Sequence, residues 1–411
     1  MKMNNKTERG QAIVMIAIAI VGLIGFTALA IDGGNAFSDR RNAQNAADTA
    51  ALSAALAKVR NNDWNAIGQT LASSNGYNND SISNTVNLYN PPIDGTYAGN
   101  NEYIQVIIVS HVDTFFASIV GVEQLTNTVE AVARAKPAIT EPMVYGNAMV
   151  SLAPTECQAY YVHGTAATEV TGGGVFVNSN GDECNNPNDG VFEQQGSASL
   201  LAVDGGITSV GDAVVQNPSL LDPYPPTEGA TAMPYPPEFA MPEPDCGTTN
   251  STQSGSTLTP GNVAASWLRN DVFLEPGTYC ISGDLVLNAS NTLEGHDVTL
   301  YFVDGGLHIN GAGEFLLDAP DSGEFAGLLI FLPMDNDEIV ILNGNATSEF
   351  EGSILAPASE IQINGTGNTD GYSSQVIGYT IDLIGTADTY IHYEDSTNYD
   401  ATVPPRIELA H

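Results

Sequence analysis

Carboxylates are the commonest side chains here that could do chemistry, and they are concentrated in the later part of the chain. Residues 137–411 hold 37 acidic side chains against two basic ones, Arg269 and Arg406, for a net charge of −35. Residues 1–136 hold eleven acidic and nine basic side chains, for a net charge of −2. A strongly negative surface repels nucleic acid and anionic glycans. We therefore expect no nucleic-acid partner and interpret the charge as a well-solvated surface.

Glycan cleavage is the reaction that paired carboxylates would best serve. A hydrolase needs two carboxyl groups roughly 5 to 10 Å apart, but with this many acids chance pairs are unavoidable. A uronate lyase would also need Arg or Lys, which are nearly absent. The histidines form no HExxH or HxxE pattern. We predict no enzymatic activity, and a carbohydrate-active or glycan-binding surface protein is the alternative. The residues considered are Asp318, Asp321, Asp335, Asp337, Glu338, Asp382, His163, His296, His308 and His392.

Calcium is the only metal that the sequence suggests, and the signal is weak. Oxygen ligands occur together at Asp335, Asn336 and Asp337, and again at Asn180, Asp182 and Glu183. Neither run belongs to an EF-hand or an RTX repeat. We predict no cofactor.

The four cysteines are Cys157, Cys184, Cys246 and Cys280, and none belongs to a CxxC pair of the kind that binds zinc. An extracytoplasmic location favours disulfides, and four cysteines allow three pairings. We predict Cys157 with Cys184 and Cys246 with Cys280, because each pair brackets a loop-rich excursion.

These residues must be positioned by a chain that begins with a long helical pattern, Arg9 to Arg60. Ala12 to Ile31 is a run of 20 residues without charge, which at about 1.5 Å per residue spans the roughly 30 Å of bilayer hydrocarbon. Lys2, Lys6 and Arg9 precede this run, so we predict a cytoplasmic segment 1–11, a transmembrane helix 12–31 and an extracytoplasmic remainder.

A cleaved secretory signal is the alternative to a retained anchor. The apolar run exceeds the 7 to 15 residues of a typical signal core, and no small-x-small site with a polar exit follows it. We therefore predict that the segment stays in the mature protein. A kink is expected at Gly33 and Gly34.

Small residues recur along this pattern at spacings of three and four. They would allow another helix to approach closely, or they would pack only on the protein's own outer domain, and the sequence does not choose between the two. The predicted assembly and helix-packing residues are Gly10, Gly22, Gly25, Asp32, Ala43, Gln44, Ala47, Asp48, Ala50 and Ala54.

The stretch RGQAIVMIAIAIVGLIGFTALAIDGG followed by RRNAQNAADTAALSAAL resembles the N-terminal segment of TadE/TadG-like proteins of bacterial Tad (Flp) pilus systems. The resemblance covers about 60 residues well. It implies a role in pilus assembly, with Tad components or copies of the chain itself as partners. The chain departs from prepilins at Met15, where they usually carry Glu, and it lacks the DxSxS motif of a von Willebrand A module.

Residues 32–142 are predicted to form a pilin-like α+β module. Helical signals extend over Asp63 to Ser74, and strand patterns cover Thr85 to Tyr89, Tyr103 to Val112 and Asn127 to Lys136. A helix capped by Asp113 is expected between the last two strands. Its apolar face would comprise Phe115, Phe116, Ile119 and Val120.

Residues 143–411 show short Val, Ile and Leu runs separated by Gly, Asn and Asp, which is typical of a β-solenoid or a sandwich. One series begins at Leu285, Leu307, Val340, Ile361 and Ile381, and a second begins at Leu300, Leu329, Ser353 and Val376. Steps of about 20 to 24 residues favour an all-β right-handed parallel β-helix. The Pro-rich segment 217–245 is predicted to be a surface excursion, with an interdomain linker as the alternative.

Together these patterns predict a structural, non-enzymatic envelope protein anchored in the plasma membrane by a single helix. Its acidic β-helix would serve adhesion or assembly, and a surface glycan is a further candidate partner.

Overall fold

The computed structural model describes residues 9–186, 189–202, 204–288, 291–310, 314–343, 348–365, 371–386 and 388–410. Lys2 and Lys6, and most of the predicted cytoplasmic segment, therefore lie outside the described residues. The chain divides into two compact units, one formed by Met1–Ile139 with Pro404–His411 and the other by Thr140–Val403.

The first unit is a long helix and a short one on an antiparallel sheet. Helix α1 spans Arg9–Val59, and it runs through Gly33 and Gly34 without interruption. Helix α2 begins where the Asp63 carboxylate accepts a hydrogen bond from the Ala66 amide at 3.0 Å. The remaining elements are α2 Trp64–Ser74, β1 Asn84–Tyr89, β2 Tyr103–Asp113, the 3-10 helix Ala117–Val120 and β3 Gln124–Lys136.

The helix predicted between β2 and β3 is only this single 3-10 turn, and its apolar side chains do not form a buried face. Phe115 and Ile119 are 72% and 74% exposed. Asp113 does not cap it, since its carboxylate accepts a hydrogen bond from the Gln124 side chain across the strand pair. The prediction was wrong because the ten residues between β2 and β3 are too few for a helix that could cover the sheet.

The second unit is all-β and begins with a set of short strands that ends before the Pro-rich segment. These strands are β4 Ile139–Pro142, β5 Met149–Ser151, β6 Tyr160–Gly164, β7 Ala167–Thr171, β8 Val175–Val177, β9 Phe192–Gln194, β10 Ser199–Ala202, β11 Ile207–Ser209, β12 Ala213–Val215 and β13 Leu221–Asp222.

After the Pro-rich segment the strands resume. They are β14 Gln253–Ser254, β15 Thr257–Leu258, β16 Gly261–Ala264, β17 Val272–Leu274, β18 Gly277–Ser282, β19 Leu285–Leu287, β20 Thr292–Gly295, β21 Val298–Phe302, β22 Leu307–Ile309, β23 Glu314–Asp318, β24 Leu328–Phe331, β25 Val340–Leu342, β26 Glu349–Glu351, β27 Ser353–Ile363, β28 Tyr372–Ser373, β29 Val376–Gly385, β30 Thr389–His392, β31 Asp400–Val403 and β32 Arg406–Ala410. Single 3-10 turns lie at Met143–Gly146, Pro218–Leu220, Ala265–Leu268 and Asp395–Thr397.

The last strand corrects the predicted boundary of 143–411. Strand β32 pairs antiparallel with β3, so the sheet of the first unit has the order β1-β2-β3-β32. The alternation of Ile407 and Leu409 with charged neighbours suits a strand with one buried face, and both side chains pack on the first unit's core.

Nearly all strand pairs of the second unit are parallel. The first recurrence series matches the observed register residue for residue, because Leu285 pairs with Leu307, Leu307 with Val340, Val340 with Ile361, and Ile361 with Ile381. In the second series Leu300 pairs with Ile330 and Ile330 with Ile354, one residue beyond the predicted partners. The repeats therefore predicted which strands are neighbours.

The parallel strands of the second unit lie side by side in a stack, and their order in the stack differs from their order along the chain. One row of parallel strands reads β11, β8, β5, β29, β27, β24, β21, β18, β16. The chain thus enters this row in its interior at β5, proceeds outward to β11, restarts at the opposite end with β16, and returns inward to β29. The row is joined there, because Val376 of β29 pairs with Met149 of β5.

The Pro-rich segment 217–245 connects the two ends of the stack along its outer surface. Thr227 bridges to Thr208 beside β11, and the Met233 backbone exchanges two hydrogen bonds with the Asn178 side chain. The Tyr235 hydroxyl donates to the Pro357 carbonyl at 3.3 Å. Phe239, which is 8% exposed, belongs to an apolar cluster with side chains of several strands of the second unit. The segment is a strap packed on one unit, and the interdomain-linker alternative does not apply.

Two disulfides have the predicted pairing, Cys157 with Cys184 and Cys246 with Cys280. The second one ties the end of the strap to β18. Inside the second unit, aromatic rings from paired parallel strands stack on each other, for example Phe315 of β23 on Phe350 of β26 with ring centres 5.6 Å apart. Such ring stacking adds about 0.5–1.5 kcal/mol beyond the area buried.

Candidate assembly site on the N-terminal helix

The first half of α1 presents apolar surface with nothing packed on it. The chain has one helix long and apolar enough to cross a membrane among the residues the structure describes, and its most apolar window has a mean hydropathy of 2.7 and is 0% buried. Gly22 and Gly25 have open space where a Cβ would be added. Gly10 lies in the first turn of the same helix. These glycines leave room for another helix to approach.

The alanine stripe in the second half of α1 is buried within its own unit. Ala43, Ala47, Ala50 and Ala54 are each 0% exposed, and they belong to one core cluster with residues of β1, β2 and β3. Alanine's small side chain allows the helix to lie close to the sheet. Of the two alternatives left open by the sequence, packing on the protein's own domain is the one observed, and these four side chains have no surface left for a partner helix.

Asp32 attaches α1, at the end of its uncharged segment, to the β2–β3 loop. Asp32 is 4% exposed, and its carboxylate accepts hydrogen bonds from the amides of Phe115, Phe116 and Ala117 at 2.9, 3.0 and 2.7 Å. A buried carboxylate is tolerated where such donors satisfy it. In the sequence Asp32 is the first charged residue after the apolar run, and in the structure this charge binds the backbone of the β2–β3 loop.

Asp39 is a second attachment, which sequence reasoning missed. Its carboxylate accepts hydrogen bonds from the Tyr77 hydroxyl at 3.0 Å, the Asn127 amide at 2.7 Å and the Ser110 hydroxyl. Burial, and then the hydrogen bond to Asp39, raise the pKa of Tyr77. The available signal was the spacing of Asp32, Asp39 and Ala43, which places both carboxylates on the buried helix face.

Gln44 continues this row of polar attachments. Its side-chain amide donates to the Asp48 carboxylate at 2.8 Å and to the Glu130 carbonyl of β3 at 2.9 Å. Asp32, Asp39 and Gln44 thus contact the loop and β3 at successive points along the sheet. These polar contacts fix the register of α1 on the sheet. A row of identical alanines alone could not specify that register.

In the half of α1 that follows the apolar segment, the face opposite the alanines is exposed. Arg40, Arg41 and Asn45 are exposed there, and so is Phe37 at 72%. These side chains, and not the alanines, are available to a partner.

The carboxylates singled out by sequence come together only in part. Asp318 and Asp321 line a cleft of about 970 Å³ with Glu351, Phe325 and Tyr399, all within the second unit. Burial raises the pKa of Glu351, and Asp318 and Asp321 raise it further.

The other predicted carboxylates lie outside that cleft. Asp382 contacts His163, with the two side chains 2.9 Å apart, and burial raises the pKa of Asp382 against the effect of this histidine. His296 instead contacts Asp318, and that hydrogen bond raises the pKa of His296.

The two calcium candidates are used in local structure. Asn336 donates to the Phe302 and Gly305 carbonyls at 3.0 and 3.1 Å, and the Asn180 amide donates to Asp182 at 2.8 Å. Among the described residues, no group of three or more His, Cys, Asp or Glu side chains could hold a metal ion.

Comparison with known proteins finds a similarity in the N-terminal segment. The family model "Putative Flp pilus-assembly TadE/G-like" matches residues 10–57. Most of helix α1, residues 10–57, is therefore similar to the segment that this family model describes.

Of solved structures, the competence-associated pilin ComZ from Thermus thermophilus is 13% identical to this chain, and the match covers 80% of this chain and 82% of that one with a TM-score of 0.27. A TM-score this low does not establish a shared fold. No curated protein matches the chain.

Proposed function

We propose that the protein is a structural, non-enzymatic component of a Tad (Flp) pilus system, either a minor pilin-like subunit or a pilus-associated surface protein. The observation that carries this is the TadE/G-like segment itself, residues 10–57. It combines an exposed apolar half with a half fixed to its own sheet. Only the apolar half and the face around Arg41 remain free to bind Tad components or another copy.

The proposed topology places the N-terminus in the cytoplasm and the second unit outside. Arg9 precedes the apolar segment and Asp32 follows it, which agrees with the bias of positive charge toward the cytoplasm. Two disulfides in the second unit agree with an oxidising compartment.

For the second unit we infer a right-handed parallel β-helix that displays an acidic surface for adhesion or assembly. Parallel neighbours about 20 to 30 residues apart in sequence require crossover connections, and those are right-handed in about 98% of cases. The net charge of −35 over residues 137–411 keeps that surface solvated.

Site-specific photo-crosslinking in cells that make Tad pili tests the assembly role. A photoreactive residue at Arg41 or Asn45, on the exposed face of α1, is expected to form adducts with Tad proteins or with a second copy. The matched control is Thr96, an exposed loop residue of the same unit. Adducts equally frequent at Thr96, or none at either helix position, would contradict the proposal.

A glycan-binding or glycan-cleaving β-solenoid remains the second candidate, because the cleft combines aromatic rings with several carboxylates. Neutral polysaccharides are the substrates to test, since the acidic surface repels anionic ones. Release of reducing ends by the wild-type chain but not by Glu351→Gln would favour this candidate. If neither chain releases reducing ends, the result would argue against glycan cleavage and favour the structural role.

A further inference from the structure

The loop between β2 and β3 carries exposed apolar side chains that the assembly role does not use. Residues 114–122 contain no charged residue. Phe115 is 72% exposed, Ile119 74% and Val122 42%. Several large apolar side chains exposed together at one loop tip indicate a surface that contacts something other than water.

Asp32 fixes where this loop lies along α1. The Phe115 amide is 2.9 Å from the Asp32 carboxylate, and Asp32 immediately follows the uncharged segment 12–31. That segment is long enough for roughly 30 Å of hydrocarbon. A bilayer placed on this segment would therefore end at the level of the loop, next to Ile31, which is itself 42% exposed.

The loop backbone is prepared for a poorly hydrated environment. Asp32 accepts from the three amides at positions 115–117. The Ile119, Gly121 and Val122 amides donate to carbonyls within the loop at 3.1–3.2 Å. At its neck, Thr114 donates through its amide to the Glu123 carbonyl at 3.0 Å. Internal satisfaction of these groups lowers the cost of moving the loop from water to a place where water is scarce.

We propose that residues 114–122 form a second membrane contact, which inserts Phe115 and Ile119 into the interfacial region of the bilayer beside the exit point of α1. The apolar surface of the loop continues the exposed apolar surface of the helix, and aromatic and aliphatic side chains partition favourably into this region. Two contacts on one rigid unit would restrict its tilt, which a single helix does not do. The proposal rests on the membrane anchoring of α1 and not on the pilus role.

Tryptophan fluorescence of the full chain, reconstituted at one copy per lipid nanodisc, tests the proposal. Phe115→Trp and Ile119→Trp are compared with Ile93→Trp as the matched control. Ile93 is also exposed, at 59%, but its amide binds Gln105. Gln105 lies eight residues from Asp113 on β2, a distance of about 26 Å along the strand.

We expect the fluorescence of the tryptophans introduced at positions 115 and 119 to be shifted to the blue relative to a tryptophan in water. We also expect it to be quenched by lipids that carry a nitroxide near the headgroup. The emission added at position 93 should be neither shifted nor quenched. Absence of lipid quenching at both loop positions would overturn the proposal. A blue shift without quenching would also overturn the proposal, because it would mean that protein covers the loop. Two positions are tested so that one variant that fails to fold does not decide the result.

Discussion

At the scale of single residues, the most informative side chains are two aspartates of α1 that bind residues 70 to 90 positions later in the sequence. Asp32 binds the β2–β3 loop, and Asp39 binds Ser110 and Asn127. Their helix face could be predicted from spacing, because the alanines define it. Their partners could not, because amides and hydroxyls at that separation leave no pattern in the sequence.

Replacing Asp32 by Ala removes the acceptor of three backbone amides. We expect faster hydrogen exchange at Phe115, Phe116 and Ala117 and a loss of about 1–3 kcal/mol of stability, the usual cost of leaving buried donors unsatisfied. Hydrogen–deuterium exchange of the detergent-solubilised chain measures this. Asp113→Asn is the control, and an equal effect from that variant would show that Asp32 does not hold the loop.

The alanine stripe gives a second prediction. Ala47→Leu with Ala54→Leu should destabilise the first unit by overpacking, by about 1–3 kcal/mol per site, whether or not a partner is present. Asn42→Leu, on the exposed side of the same helix, is the control. Chemical unfolding of the isolated chain measures the effect. Wild-type stability of the double variant would contradict the observed packing.

At the scale of elements, the repeats predicted strand neighbours well but not the order of the stack. The steps from Leu285 to Ile381 reproduce the observed register, since each repeat has a buried Leu, Ile or Val at the same position. The pairing of β29 with β5 joins residues such as Val376 and Met149. A contact so distant in sequence has no local signal, and therefore the closure of the stack could not be predicted.

The strap depends on packing and on one covalent attachment. Cys246→Ser with Cys280→Ser releases its end from β18, and we expect a loss of about 2–4 kcal/mol of stability, as for a disulfide that closes a loop of this size. Limited proteolysis should then cleave within 217–245 first. The pair Cys157→Ser with Cys184→Ser is the comparison, since it should leave the strap protected. Cleavage of the strap at wild-type rates in the first variant would argue against the attachment.

At the scale of the whole molecule, uneven charge sets the response to pH. Burial and neighbouring carboxylates raise the pKa values of Glu351, Glu360 and Asp400, and burial raises that of Asp382 against the effect of His163. The pKa of His296 is raised as well. A group with a raised folded-state pKa contributes stability that is fully present below its unfolded value and is lost as pH rises through the folded value.

We therefore expect the second unit to unfold at a higher temperature at pH 5 than at pH 8. Protonation also reduces the repulsion within a surface of net charge −35. Scanning calorimetry of the full chain across this range measures the shift. Glu351→Gln should flatten the profile more than Glu349→Gln, a neighbour on β26 outside the cleft. A second unit that is more stable at pH 8 than at pH 5 would contradict the predicted direction of the pH dependence.

The most direct test of the account is electron microscopy of surface filaments on cells that lack this protein. We predict fewer or shorter Tad filaments than on wild-type cells, restored by the full chain but not by residues 32–411 exported without the apolar segment. Unchanged filaments in its absence, or full rescue by the unanchored fragment, would contradict a structural role carried by the N-terminal helix.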